Sequence, residues 1–247
     1  MNLQQFFEKY PKTAIAFSGG VDSLYLLYAA HKYGSETKAY YVKSAFQPDF
    51  ELEDAKKLAA EVGAEMKILQ LDVLEDRTVA SNPKDRCYYC KHSIFNAIIQ
   101  AAAEDGFTVL LDGTNASDDA ADRPGMKALQ ELKVLSPLRE CGLTKDDIRF
   151  LSKEAGLFTW DKPAYACLAT RIPAGEQITK EKLQNIEKAE NYMFSLGFTD
   201  FRVRTNNGRA KLQVRADQIG KVLAERELIL NELGKSFTEV TLDLRPR

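Results

Sequence analysis

The run Ser18-Gly19-Gly20-Val21-Asp22-Ser23 constrains this chain more than any other stretch. Just before it, residues 13–17 (Thr-Ala-Ile-Ala-Phe) form a short apolar run, as a buried strand does. Beyond it, residues 21–33 carry Leu24, Leu27 and Tyr28 at helical spacing. The glycines therefore fall at a strand-to-helix turn. Such a turn presents free backbone N–H groups and the positive end of a helix dipole, and phosphate is the usual guest. Gly19 and Gly20 let the backbone come close to it, while Ser18 and Ser23 add hydroxyl donors.

GxxxxGKS/T is absent and no lysine follows the glycines, so this is not the common phosphate loop, and GxGxxG lacks its third glycine. Ser-Gly-Gly-Val-Asp-Ser after an apolar strand resembles the loop of the ATP pyrophosphatase (PP-loop) superfamily, whose members cleave ATP between the α- and β-phosphates and leave AMP on a substrate. The alternative for the same residues is an ordinary glycine turn before a surface helix.

The rest of the chain repeats the rhythm up to about residue 135. Residues 37–43 and 65–71 read as strands, 50–63 as a helix closing on Gly63, and 90–104 as another helix. A fourth strand, 107–112, ends in Gly113-Thr114-Asn115. Strands alternating with helices imply an α/β fold with a doubly wound parallel sheet, in which ligands gather at the carboxyl ends of strands. Ser18, residues 44–46 and Gly113 would all lie there, with Thr114 and Asn115 as further nucleotide contacts. Residues 146–156 make one more helix, and 160–175 is irregular and contains proline.

After that the pattern changes. Thr179 caps a helix to residue 196, and strands 201–205 and 211–215 are joined by Asn206-Asn207-Gly208-Arg209, a hairpin signal. A helix over 216–233 and a strand over 237–244 follow. Two domains are expected: 1–175, and a smaller α+β domain, 176–247, for substrate binding and oligomerisation. The 247 residues suffice for a sizeable core. A net charge of −2 argues against a broad nucleic-acid surface. No apolar run is long enough for a membrane span, and the first twelve residues are too polar for a secretory signal.

The four cysteines suit a reducing cytosol better than a disulfide framework, pointing to a cytoplasmic protein. Cys87 and Cys90 open a helix after a polar loop, so both thiols can face one ligand and the dipole favours their thiolates. Cys167, in Ala-Cys-Leu-Ala-Thr-Arg, is the obvious third thiol, and Cys141 reads as incidental. Two helix-face thiols with no ligand remain the plain alternative for the pair.

Together the PP-loop, Gly113-Thr114-Asn115-Ala116-Ser117-Asp118, Cys167-Leu168-Ala169-Thr170-Arg171-Ile172-Pro173 and Arg202-Val203-Arg204 resemble the LarE family, over residues 1 to about 244. Those enzymes are ATP-dependent sulfur transferases that make the nickel-pincer nucleotide of lactate racemase. The resemblance implies adenylation of each carboxylate of pyridinium-3,5-biscarboxylic acid mononucleotide, then displacement of AMP by a sulfur nucleophile. Some members give up the sulfur of one cysteine, which becomes dehydroalanine; others hold a 4Fe-4S cluster on three cysteines, with one iron open to sulfide. Cys87, Cys90 and Cys167 place this chain with the second kind, the sacrificial route through Cys167 being the alternative. A ring-like homohexamer is also implied.

Charge supplies the remaining expectations. An acyl-adenylate expels a polyanion, so cations and Mg²⁺ must offset the developing charge. Asp22 is the expected metal carboxylate, or else a dipole partner. Lys91 and Arg171 flank the proposed sulfur site and could hold phosphate or carboxylate, or be solvated charge. Arg202 and Arg204 share one strand face and suit a nucleotide monophosphate, unless they merely protect an edge strand. Glu190 and the Asp118-Asp119 pair are weaker substrate-binding candidates. Other readings are a tRNA-thiolating or amide-forming PP-loop synthetase, and a nucleotide-binding regulator without chemistry.

Overall fold

The computed structural model describes residues 1–118 and 124–247; Asp119 lies outside the described residues. Helix α1 (Leu3–Lys9) starts at a capping box in which Asn2 and Gln5 satisfy each other's backbone N–H groups. There follow β1 (Lys12–Ala16), α2 (Val21–Lys32), β2 (Glu36–Lys43), α3 (Asp49–Glu61), β3 (Glu65–Gln70), α4 (Arg77–Ser81), α5 (Arg86–Glu104), β4 (Leu110–Leu111), α6 (Pro124–Glu131), α7 (Pro137–Glu140) and α8 (Lys145–Glu154). The later elements are α9 (Lys180–Ser195), β5 (Arg202–Asn206), β6 (Arg209–Gln213), α10 (Ile219–Ala224), α11 (Arg226–Leu233) and β7 (Glu239–Leu242).

The chain divides into two units, Met1–Val73 with Asp85–Tyr165 and Leu74–Lys84 with Ala166–Arg247. In the first, the four strands pair in parallel in the order β3-β2-β1-β4. Alternation along the strands sends successive side chains to opposite faces. Ile15, Ala39, Tyr41 and Leu111 join the core built with α1, α2, α3, α7 and α8. Their neighbours Ala14, Tyr40, Val42 and Leu110 join the core built with α5 and α6. The expected doubly wound α/β sheet is therefore present. Leu24, Leu26 and Leu27 of α2 have no solvent exposure, each such burial contributing about 1.5–3 kcal/mol. Because β2 and β3 lie on one side of β1 and β4 on the other, the chain's direction of travel reverses between β1 and β4. The loops after these two strands meet at that switch point, where such sheets place their ligands.

Several local readings differ from the structure. The fourth strand contracts to two residues, because the Phe107 N–H is still bonded to Ala102 O at the end of α5 (2.8 Å). The polar loop before the cysteines contains α4, capped by Asp76 Oδ1 on the N–H groups of Thr78 (2.8 Å) and Val79 (3.3 Å).

In the second unit β5 and β6 pair antiparallel, across a turn in which Asn207 (φ +49°) and Gly208 (φ +79°) both take positive φ, as the hairpin signal required. Strand β7 pairs in parallel with β6. The expected helix over 216–233 is instead a single 3-10 turn, then α10 and α11 parted at Glu225. Phe198, Phe201, Val203, Leu212 and Leu233 centre this unit's core. The segment 74–84 is tied into it by Asn82, whose side-chain amide donates to the carbonyls of Ile172 (3.3 Å), Pro173 (2.8 Å) and Glu176 (3.3 Å). No helix among the described residues is long and apolar enough to cross a membrane.

Candidate active site

The loop after β1 has the geometry an anion needs. Gly19 sits at φ +72°, and a Cβ there would come within 3.2 Å of the Ala55 Cβ, so this turn requires glycine. Gly20 is the N-cap of α2 and among the described residues no side chain caps that end, which leaves the start of a twelve-residue helix available to an anion. Ser18 and Ser23 close the loop on itself: their hydroxyls are 3.1 Å apart, and Ser23 Oγ accepts from Ser18 N (3.3 Å).

The loop after β4 is packed on this one. A Cβ on Gly113 would lie 2.9 Å from Ser23 N, so the two loops touch backbone to backbone. Buried Asp112 sets the turn, accepting from Ser136 Oγ (2.6 Å) on Oδ1 and from Thr114 Oγ1 (2.5 Å) on Oδ2. Asn115 accepts from Ser117 N (2.8 Å) and donates from Nδ2 to Asp22 Oδ1 (3.4 Å). Asp118 accepts from Asn115 N (3.1 Å). Lys145, the first residue of α8, reaches across to Asp22 Oδ2 (2.5 Å). Ser18, Gly19, Gly20, Asp22, Ser23, Thr114, Asn115 and Asp118 are thus gathered at one place. Sequence reading missed Asp112, Ser136 and Lys145. Their only signals were an acid at the end of a strand and a lysine in Thr-Lys-Asp-Asp at a helix start.

Cys87 and Cys90 open α5, the first exposed and the second buried. Buried Arg86 donates from Nη2 to Cys87 Sγ (3.6 Å), and its guanidinium lies over the Phe46 ring (5.4 Å). One turn on, Glu131 of α6 accepts from Tyr88 Oη (2.7 Å) and pairs with His92 Nε2 (2.8 Å), contacts that hold its carboxyl below the ordinary range. The Lys91 stem runs over Gly125, where a Cβ would be 3.0 Å from its Cδ, and its ammonium lies over Phe95. Burial pushes the Cys141 thiol up, which fits its incidental reading.

In the second unit Cys167 precedes a 3-10 turn (Leu168–Arg171). That turn is held by Arg171, whose guanidinium is fully buried and forked onto Glu190: Nε to Oε1 (2.9 Å) and Nη2 to Oε2 (2.9 Å). Nη1 donates to the carbonyls of Ala166 (2.6 Å) and Cys167 (3.3 Å), and Glu190 Oε1 also accepts from Val203 N (2.9 Å). Arg171 and Glu190, expected at a phosphate or a substrate, here brace the Cys167 turn. Arg202 is buried and donates from Nη1 to Phe201 O (2.6 Å). Arg204 is exposed and donates to Thr170 O (2.8 Å) and Gln213 Oε1 (2.5 Å).

The three thiols suit iron in kind, being soft ligands. Cys87 and Cys90 belong to the first unit and Cys167 to the second, and among the described residues no three His, Cys, Asp or Glu side chains form a metal-holding group. Asp22 with its phosphate loop suits Mg²⁺, which takes one or two carboxylates and completes its shell with phosphate oxygens and water.

Residues 12–87 match the family model of the queuosine biosynthesis protein QueC, a stretch running from β1 through the glycine turn to the start of α5. A pyridinium-3,5-bisthiocarboxylic acid mononucleotide synthase of Lactiplantibacillus plantarum is 35% identical, over 94% of this chain and 86% of its own. An uncharacterized protein of Synechocystis is 36% identical, over 98% of this chain and 92% of its own. The tRNA-specific 2-thiouridylase MnmA of Thermotoga maritima is 23% identical, over 59% of this chain and 52% of its own. This chain's parallel sheet with a glycine turn at its switch point, together with its sequence similarity to a bisthiocarboxylic acid mononucleotide synthase, a 2-thiouridylase and a tRNA sulfurtransferase, defines an ATP-dependent sulfurtransferase of the PP-loop class. Within that class the chain belongs to the LarE family.

Proposed function

We propose that this enzyme converts pyridinium-3,5-biscarboxylic acid mononucleotide to its bisthiocarboxylic counterpart for nickel-pincer cofactor synthesis. The observation that carries this is the identity to the Lactiplantibacillus synthase along 94% of the chain, well past the generic ATP loop. A substrate carboxylate oxygen attacks the α-phosphorus of ATP and pyrophosphate leaves, giving an acyl-adenylate. A sulfur nucleophile then attacks the acyl carbon and AMP departs, leaving the thiocarboxylate. The start of α2 and the hydroxyls of Ser18 and Ser23 bind phosphate, with Thr114 and Asn115 beside them. Asp22 would hold Mg²⁺, which neutralises phosphate charge when bound, and Lys145 pairs with that carboxylate. Arg202 and Arg204 bind the substrate phosphate, Glu190 and Asp118 are further substrate-binding residues, and Lys91 serves the sulfur site. The domain of residues 1–175 does the adenylation, and 176–247 binds substrate and builds a homohexamer. The protein works in the cytoplasm and needs neither nucleic acid nor membrane.

For the sulfur source we favour a 4Fe-4S site on Cys87, Cys90 and Cys167, because this chain carries all three thiols. The alternative is that Cys167 forms a thioester and loses its sulfur by β-elimination. Pyrophosphate and AMP release with the pyridinium mononucleotide, abolished in Asp22→Ala, tests the adenylation; unchanged turnover in that variant removes it. Iron content of anaerobically purified protein and its mass after turnover decide the sulfur source. Dehydroalanine at position 167 with Cys87→Ala still active sinks the cluster. A monomer mass in light scattering removes the hexamer.

A further inference from the structure

Arg204 differs from the neighbouring Arg171 in what holds it. Arg171 is neutralised by a forked carboxylate. Arg204 meets an amide instead: its Nε donates to Gln213 Oε1 (2.5 Å), across the β5–β6 pair in which Arg204 and Gln213 stand near the same end. The other end of that amide donates from Nε2 to Asp243 Oδ2 (2.9 Å), just beyond β7. Asp243 Oδ2 also pairs with Lys211 (3.1 Å), and its Oδ1 accepts from Arg245 N (3.1 Å).

The orientation of this amide is forced. A guanidinium can only donate and an ionised carboxylate can only accept, so Gln213 must turn its oxygen to Arg204 and its nitrogen to Asp243. Asp243 is ionised throughout the physiological range, its carboxyl held at about 2 by the bonds from Gln213, Arg245 and Lys211. The spacer has an electrostatic consequence as well. A carboxylate placed directly on Arg204 would offset its charge, whereas an amide fixes the side chain and leaves the charge in place. Desolvation foremost, then Arg171 and Arg247, acts against the charged form of Arg204; the carboxylates of Glu190 and Asp243 favour it but do not outweigh these, so the guanidinium gains by taking an anion. Nη1 is anchored on Thr170 O (2.8 Å), in the turn after Cys167, and among the described residues Nη2 makes no hydrogen bond.

We propose that Gln213 and Asp243 are positioning residues that hold Arg204 oriented but un-neutralised, as a preformed receptor for the phosphate of the mononucleotide. This rests on the proposed phosphate role of Arg204 and adds two residues that never touch the substrate. Strands β5 and β6 supply Arg204 and Gln213, and Asp243 follows directly on β7 with its N–H bonded to Leu212 O of β6 (2.9 Å), so the receptor is fixed by sheet register.

The test measures dissociation constants for three ligands: pyridinium-3,5-biscarboxylic acid mononucleotide, the same nucleoside without its phosphate, and ATP. Gln213→Glu, which sets a carboxylate against Arg204, and Gln213→Leu, which releases it, should each weaken the mononucleotide about tenfold or more. The nucleoside and ATP should change little. Asp243→Asn frees the amide to turn over and should give a smaller loss of the same kind. Arg204→Ala sets the largest loss. If both Gln213 variants keep the wild-type ratio of mononucleotide to nucleoside affinity while Arg204→Ala lowers it, the positioning proposal is overturned and the phosphate site stands. An unchanged ratio in Arg204→Ala overturns both. Equal weakening of all three ligands would show a fold defect and likewise overturn the proposal.

Discussion

Replacing Glu190 by alanine should strand a charge in the interior. In the wild type the Arg171 and Glu190 side chains are 0% and 1% exposed, and Glu190 also takes the Val203 N–H. Removing one partner of a buried pair costs about 3–5 kcal/mol, because the remaining charge has neither water nor counter-ion. At roughly 2–4 °C per kcal/mol for a chain of this length, the melting temperature should fall by roughly 6–20 °C. Circular dichroism melts of Glu190→Ala measure this directly. The double variant Arg171→Met with Glu190→Leu should regain most of the loss, since a well-packed apolar pair replaces an ion pair at little net cost. Sulfur transfer should not recover with it, because the carbonyls of Ala166 and Cys167 still lack their donor. A melt of Glu190→Ala within about 2 °C of wild type would refute the reasoning, by showing that the guanidinium finds another partner at small cost.

Acid stability should depend on Asp105, the residue capping the end of α5, which accepts from Lys67 (3.0 Å) and Tyr40 (2.9 Å) and pairs with Lys38 (3.2 Å). These contacts, the Lys67 bond foremost, hold its carboxyl at about 2 against an ordinary 3.8. A lowered folded pKa stabilises the protein above the unfolded value and ceases to as pH falls through the folded one. Stability should therefore drop between about pH 4 and about 2, and Asp105→Asn should flatten that limb in acid titrations; an unaltered limb would count against the assignment. Gly113→Ala should force the loop after β4 away from Ser23, since its Cβ meets backbone at 2.9 Å. ATP-dependent pyrophosphate release should fall about tenfold or more, a 1 Å misplacement at an active site being able to cost more than that; a wild-type rate would mean the two loops need not touch.

Periodicity and turn chemistry made much of this legible. The Ser-Gly-Gly turn announced β1 and α2 because close approach and positive φ need glycine, and Asn207-Gly208 announced the hairpin for the same reason. Thr179, accepting from Lys182 N (3.2 Å), marked the start of α9. What escaped was tertiary. The break at Glu225 has no proline or glycine, and Val222, Ile229 and Leu233 keep the spacing of one helix across it. Arg171 looked like a free cation because its partner stands on α9, beyond a turn that no local pattern foretells. Lys145 and Asp22 are brought together only by the winding of the sheet.

The second unit is made from two stretches of chain separated by the cysteine helix and its surroundings. During synthesis residues 74–84 emerge long before the segment they bond to, so Asn82 has no partners until Ile172, Pro173 and Glu176 follow. The contact between Gly175 N and Asn82 O (2.7 Å) and that between Ile178 N and Ala80 O (2.8 Å) close on the same schedule. The ribosome therefore delivers the first unit whole before the second can shut. A fragment beginning at residue 166 would start life without the strap that satisfies those groups, so expression of the C-terminal piece alone calls for 74–84 grafted ahead of it through a short linker.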